Sequence, residues 1–171
     1  MRLSTSLRIF LLLALIACNT GCDQVSKAMV RQQIDTHEVI TVIEPYFVLT
    51  KVENTGAAMS AFAGLPEIPK VLLLQVFPIL LLSLLFVWVI RMKKQPWLLS
   101  IAICCYIGGG LGNIWDRLLY GSVTDFMFIH VGVFKTGIFN FADVSVMVGT
   151  ALLFIYAIQE QRNKRVEPIA G

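Results

Sequence analysis

Four long apolar stretches, separated by shorter polar ones, organise this chain. A helix needs roughly 20 apolar residues to cross the hydrocarbon layer of a bilayer. Residues 71–90 meet that requirement without a single charge. Residues 96–116 stay apolar until Asp116, with Arg117 next in line. Residues 139–159 contain one charged residue, Asp143, and residues 7–28 are apolar as far as Asn19 before Asp23 and Lys27 appear. The pattern predicts an all-α membrane protein of four transmembrane helices, folded as one domain over residues 1–171. Two outer segments connect the helices, residues 29–70 and 120–136. The first is not uniformly polar. Val39-Ile40-Thr41-Val42-Ile43 is entirely β-branched, Tyr46 to Val52 adds Val48, Thr50 and Val52, and Glu44-Pro45 divides the two runs. That pattern predicts a small extracytoplasmic β-element between helices 1 and 2, resting on the membrane. Gly64, Pro66 and Pro69 mark the return towards the bilayer.

Composition agrees with a bilayer environment. The 171 residues are 57% hydrophobic and only 15% charged, fewer charges than a soluble domain of this size carries. Basic residues distribute unevenly and so set an orientation. Arg2, Arg8, the turn Arg91-Met92-Lys93-Lys94 and the tail residues Arg162, Lys164 and Arg165 fall on one side. In residues 29–70, Arg31, Lys51 and Lys70 are outnumbered by Asp35, Glu38, Glu44, Glu53 and Glu67. Both termini are therefore expected in the cytoplasm, with residues 29–70 and 120–136 outside. The net charge of +3, without basic runs interleaved with aromatics, argues against a nucleic-acid surface. Cys18, Cys22, Cys104 and Cys105 all lie in apolar segments. They read as small apolar fillers rather than metal ligands, because no further Cys or His lies near them in sequence.

An ionisable residue at membrane depth is costly, which makes it a functional hypothesis by default. Such residues cluster here at the outer helix ends. Asp23 and Lys27 close the first helix, and Asn113, Asp116 and Arg117 close the third. Asp125 follows in the outer connection, and Asn140 and Asp143 open the fourth helix. Antiparallel packing would gather them into one layer. Asp23 and Lys27 share a helix face at i,i+4, and Asp116 has Arg117 beside it, so each acid has a local basic partner for an interfacial ion pair. Asp125 and Asp143 have no basic residue within four positions. A carboxyl unpaired at an apolar boundary has its pKa raised by desolvation. Two brought close would share a proton, one acting as base on a water while the other polarises a peptide carbonyl. Isolated helix-capping acids are the plainer alternative. No Gly-x-Ser-x-Gly turn and no His-Glu-x-x-His occurs, and His37 and His130 are the only histidines. Gly108-Gly109-Gly110 with Gly112 has no βαβ setting, so these glycines suit close helix packing or close approach of a substrate.

Five blocks along the chain resemble those of the lipoprotein signal peptidase family, signal peptidase II. They are Asp23-Gln24-Val25-Ser26-Lys27, Asn54-Thr55-Gly56-Ala57-Ala58-Met59-Ser60 and Gly112-Asn113-Ile114-Trp115-Asp116-Arg117, then Gly121-Ser122-Val123-Thr124-Asp125-Phe126 and Phe139-Asn140-Phe141-Ala142-Asp143. In the second, Met59 stands where an aromatic is commoner. The resemblance implies an aspartyl endopeptidase of the bacterial inner membrane. Its substrate would be a prolipoprotein carrying diacylglycerol on its lipobox Cys, cut just before that Cys. By the same resemblance Asp125 and Asp143 are the catalytic pair. Asp23, Lys27, Asn54, Asn113, Asp116, Arg117 and Asn140 serve substrate contact or site architecture. Globomycin-type inhibitors would occupy the site, membrane lipid would surround it, and the chain is expected to act as a monomer. No metal or organic cofactor is implied.

Two other classes remain open on the residues alone. Buried acids also carry protons in small transporters or channels, although here they collect at one end of the bundle rather than along a path. Leu15-Ile16-Ala17-Cys18 after Arg2 and Arg8 also has the residue types of a lipobox, which would make the chain itself a lipoprotein.

Overall fold

The computed structural model describes residues 4–36, 38–57, 60–91 and 96–166. Arg2, His37, Ala58, Met59 and the turn Met92-Lys93-Lys94 therefore lie outside the described residues, as does part of the second motif block. Four helical spans are long and apolar enough to cross a membrane. The first is α1, Thr5–Gln33. Its N-cap Ser4 accepts a hydrogen bond from the Leu7 N–H at 3.2 Å, satisfying one of the donors a helix start leaves free. Leu12 and Ile16 of α1, from and just before the lipobox-like stretch, are core residues.

The second span, Glu67–Arg91, begins four residues earlier than the hydrophobic run suggests. It comprises α2 (Glu67–Val71), one π-helical turn over Leu72–Val76 and α3 (Phe77–Arg91). Pro69 is tolerated in α2 because it falls in the first turn, where its missing N–H would be unpaired anyway. Pro78 falls just after the π turn. There the Phe77 N–H reaches back to the Leu72 carbonyl, a widened turn next to the residue that cannot donate.

The third span, α4 (Trp97–Tyr120), is the central helix, packing on α1, α3 and α5. In a bilayer, tight packing rather than water exclusion holds helices together, and small residues permit it. A methyl on Gly108 would collide with Asn19 and the Ile16 carbonyl of α1. One on Gly109 would meet Ala142 of α5, the final span, Phe141–Val166. The glycine run is thus a packing device on two faces of one helix. Cys104 and Cys105 are buried fillers in that helix, whereas Cys18 and Cys22 lie exposed on α1; all four are free thiols.

α4 stops at Gly121, whose φ of +73° is the left-handed conformation that glycine adopts without strain. The chain then enters a four-stranded antiparallel sheet in the order β1-β2-β3-β4. β1 (Val39–Ile43) and β2 (Phe47–Asn54) are the element expected between the first two spans. The connection between α4 and α5 adds β3 (Val123–Val131) and β4 (Phe134–Lys135). β3 was hidden in the sequence because Val123 to Met127 are buried without interruption and show no alternation. Val30 of α1 and Ile34, its C-cap, pack with Phe126 and Met127 of β3, fastening the sheet to one end of the bundle.

Candidate active site

The helix ends next to the sheet and the adjoining strand ends hold one continuous polar network. Asp23, Lys27, Asp116, Thr124 and Asn140 have no exposed surface at all, and Asn54 and Asp125 are also buried. The network has two parts of different chemistry.

The first part is ionic. Lys27 Nζ lies 2.7 Å from Asp23 Oδ2, the i,i+4 pair expected from sequence, and 3.1 Å from Asp116 Oδ2. Arg31 completes it, 2.7 Å from Asp116 Oδ1. Gln24 Nε2 donates to Asp23, to Asp116 and to the Gly112 carbonyl. The other oxygen of Asp23 accepts the Ala142 N–H at 2.9 Å and so caps the start of α5. Two acids and two bases are thereby closed upon one another. Gly112 lets the helices meet there, because a methyl at that position would strike the Asp23 carboxylate.

The expectation that Asp116 pairs with neighbouring Arg117 is corrected. Asp116 turns towards α1, where Lys27 and Arg31 supply its cations. Arg117 instead donates to the Gly56 carbonyl at 2.9 Å and to the Asn113 carbonyl at 3.4 Å. Adjacent residues on a helix point about 100° apart, so sequence neighbours need not share a partner.

The second part is built on amides. Asp125, on β3, accepts from Asn140 Nδ2 at 2.6 Å on one oxygen and from Asn54 Nδ2 at 3.0 Å on the other. Asp143, in the first turn of α5, accepts from Asn113 Nδ2 at 3.0 Å and from the Asn140 N–H at 3.1 Å. The Asn140 side chain returns the favour, accepting from the Asp143 N–H at 3.0 Å. Asn140 and Asp143 thus form a capping box, and Asn140 alone ties both carboxyls together. Among the described residues neither Asp125 nor Asp143 is in an ion pair. Burial pushes the Asp125 carboxyl up to about 6. The Asn54 hydrogen bond opposes that rise, the nearby Asp143 charge adds to it, and Asn140 and Lys27 oppose it more weakly.

The two parts join at Asn113, whose Oδ1 accepts from Lys27 Nζ at 3.0 Å and from Asn140 Nδ2 at 3.2 Å. With its oxygen so engaged, the amide presents its NH2 to Asp143. Every residue singled out from sequence, Asp23, Lys27, Asn54, Asn113, Asp116, Arg117, Asp125, Asn140 and Asp143, is in this one network. Gln24, Arg31, Glu53 and Thr124 belong to it too and were not singled out. Arg31 had counted only as an outer positive charge, although its i,i+4 spacing from Lys27 was a usable signal. His130 and Lys135 pair across β3 and β4, where His130 Nε2 meets the Gly132 carbonyl.

Such a site offers two carboxyls, on different elements, held in place but not neutralised. Comparison with known proteins places the chain in a family. The family model described as signal peptidase (SPase) II matches residues 15–159. The lipoprotein signal peptidase of Clostridium acetobutylicum is 31% identical over 150 residues, covering 87% of this chain and 94% of that one. That of Pseudomonas fluorescens is 36% identical over 142 residues, covering 82% and 83%. A solved bacterial membrane enzyme superposes with a TM-score of 0.83 at 26% identity, covering 94% of this chain and 95% of the other. The chain belongs to the signal peptidase II family, and is a multi-pass membrane protein and a protease.

Proposed function

From that membership we propose that this chain is an aspartyl endopeptidase acting on diacylglyceryl-modified prolipoproteins, cutting just before the lipidated Cys. The observation that carries the reading is the coupling of Asp125 and Asp143 through Asn140, with amide and backbone N–H donors rather than ion pairs on both carboxyls. A carboxylate locked to Lys or Arg stays ionised, whereas one held by neutral donors can take up a proton. Burial and the nearby Asp143 charge both raise the Asp125 pKa, which brings a proton within reach of the pair.

In this mechanism a water between the two carboxyls attacks the scissile carbonyl carbon. Its proton passes to the ionised carboxylate, while the protonated carboxyl gives its hydrogen to the carbonyl oxygen. The tetrahedral intermediate then collapses. The C–N bond breaks, the amine nitrogen takes a proton from the dyad, and the signal peptide leaves with a new carboxylate. Asn113, Asn140 and Asn54 fix the two carboxyls, the Asp23-Lys27-Asp116 cluster fixes Asn113, and Arg117 holds the Gly56 turn. No metal or organic cofactor takes part. The diacylglyceryl tails remain among the lipids, and confinement of both partners to one bilayer raises their effective concentration. The setting is the bacterial inner membrane, with both termini cytoplasmic, the site at the outer face, the single domain acting as a monomer and globomycin-type inhibitors competing for the site.

A gel-shift assay of diacylglyceryl-prolipoprotein cleavage tests the chemistry. Wild type should shift the substrate and Asp143→Asn should not; cleavage by the variant at the wild-type rate sinks the aspartyl reading. Reporter fusions test the orientation. Fusions after Arg91 and Lys164 should report cytoplasm and fusions after Glu44 and His130 the outside, and an outside signal after Lys164 rejects it.

A further inference from the structure

β2 reaches Asp125 through an irregularity. Leu49 pairs with Met127 and Val52 with Asp125, so three steps on β2 match two on β3. This is a bulge, and a bulge leaves the register beyond it to be fixed by something else. A slip of one residue there would turn Asn54 to the opposite face of the sheet, away from the Asp125 carboxyl. Glu53, immediately before Asn54, pairs with Thr124 and points to the other face. Its Oε2 accepts from Ser122 Oγ at 2.6 Å and its Oε1 from Thr124 Oγ1 at 2.9 Å. Thr124 Oγ1 accepts in turn from Arg31 Nε at 2.8 Å. Arg31 is itself anchored by Asp116 and lies 4.2 Å over the Tyr120 ring.

We propose that Glu53 and Arg31 are positioning residues: they grip Ser122 and Thr124 and fix the register of β2 on β3 past the bulge, so that Asn54 meets Asp125. The inference rests on the reading of Asp125 as half of the catalytic dyad. Neither residue touches the reacting groups. Glu53 grips Ser122 and Thr124, which flank Val123 just ahead of Asp125, and Arg31 extends that grip to α1 and α4. The sheet end is held on both faces at once, by Asn54 and Asn140 on one and by Glu53 and Arg31 on the other.

The test compares purified wild type, Glu53→Ala, Glu53→Gln, Ser122→Ala and Asp125→Asn in the cleavage assay across pH. The charges facing Asp125 are Asp143 from α5, Lys27 from α1 and Arg117 from α4. None of these is changed by the Glu53 and Ser122 substitutions, and loss of the Glu53 charge would by itself lower the Asp125 pKa, so a shift to higher pH reports geometry. Loosening the grip weakens the Asn54 hydrogen bond, which favours the ionised carboxyl. The acid limb of kcat/KM should therefore move to higher pH. Glu53→Ala should lower kcat about tenfold with KM little changed, as small misplacements do. Glu53→Gln, which retains an acceptor and a hydrogen-bonding partner for both hydroxyls, should recover most of it. Ser122→Ala, removing one contact only, should shift the limb in the same direction by less. An unmoved limb and unchanged kcat in both Glu53→Ala and Ser122→Ala overturns the proposal. So does a Glu53→Gln no better than Glu53→Ala, since charge alone would then be at work. Cleavage by Asp125→Asn would instead bring down the underlying reading of the dyad.

Discussion

The ionic cluster of Asp23, Lys27, Arg31 and Asp116 and the amide-held pair of Asp125 and Asp143 lie side by side and use the same acid for opposite ends. In the first, each carboxylate has a cation within 3.1 Å. In the second, the carboxyl oxygens accept from Asn side-chain amides and a backbone N–H. A buried ion pair is rigid and hard to protonate, and removing one partner is costly because the other charge stays buried. A buried carboxyl held by neutral donors retains a choice of protonation state. The first arrangement suits scaffolding and the second suits proton transfer.

The comparison breaks most visibly through activity. Asp125→Asn and Asp143→Asn should each reduce cleavage by about 10⁴-fold or more, and the double variant should be no worse, because residues acting as a unit are not additive. Chelators should change nothing. Conversely, Asp116→Asn in a protein that still folds should leave far more activity; equal losses at all three positions would erase the distinction. Next in size is stability. Lys27→Met leaves Asp23 and Asp116 buried with their shared cation gone, at a cost of roughly 3–5 kcal/mol. Thermal unfolding in detergent should show a large drop, and an unshifted midpoint would mean the cluster is no scaffold.

Asp125→Asn should behave oppositely. The folded Asp125 pKa of about 6 lies above the ordinary carboxyl value of 3.8, so the folded state binds more protons between the two. Stability from this group is then highest at low pH and falls as pH rises through that window. The variant lacks the titration, so its midpoint at neutral pH should be no lower than wild type and its decline from pH 4 to 6 shallower. A steeper decline contradicts the assignment.

Much of this was legible in the residues. Spans declare themselves by length and hydropathy, and acids at their ends stand out because the bilayer penalises them. The pairing of those acids did not follow. Asp116 was adjacent to Arg117 in sequence, yet helix packing delivered Lys27 and Arg31 to it instead. Proximity along a chain gives a candidate partner, whereas the rotation of α4 against α1 chooses one. The strand bearing Asp125 was invisible for a related reason: burial on both faces removes the alternation by which strands are read. Asp143 was recognisable as a helix-start acid, and its capping bond to Asn140 is real. That bond occupies one oxygen only, and the second bond, from Asn113, is long-range and has no local signature.

The smallest expected effect tests whether the amides set the chemistry of the pair or only its shape. Asn54 donates to Asp125 while its own oxygen accepts from the Gly56 N–H at 2.9 Å, so its orientation is fixed. A donor to a carboxylate favours the ionised form, and the Asn54 bond is the largest influence opposing burial at Asp125. Asn54→Ala removes that opposition. The pKa of Asp125 must rise further, and the acid limb of kcat/KM should move from near 6 to higher pH, with roughly tenfold lower activity for the lost charge-assisted bond. Asn140 still holds the other oxygen, so the carboxyl should stay in place and the enzyme remain active on the alkaline side of the limb. A limb that moves to lower pH would mean that Asn54 donates to a neutral carboxyl. A limb that stays put while activity falls would reduce Asn54 to a prop for the Gly56 turn and Arg117.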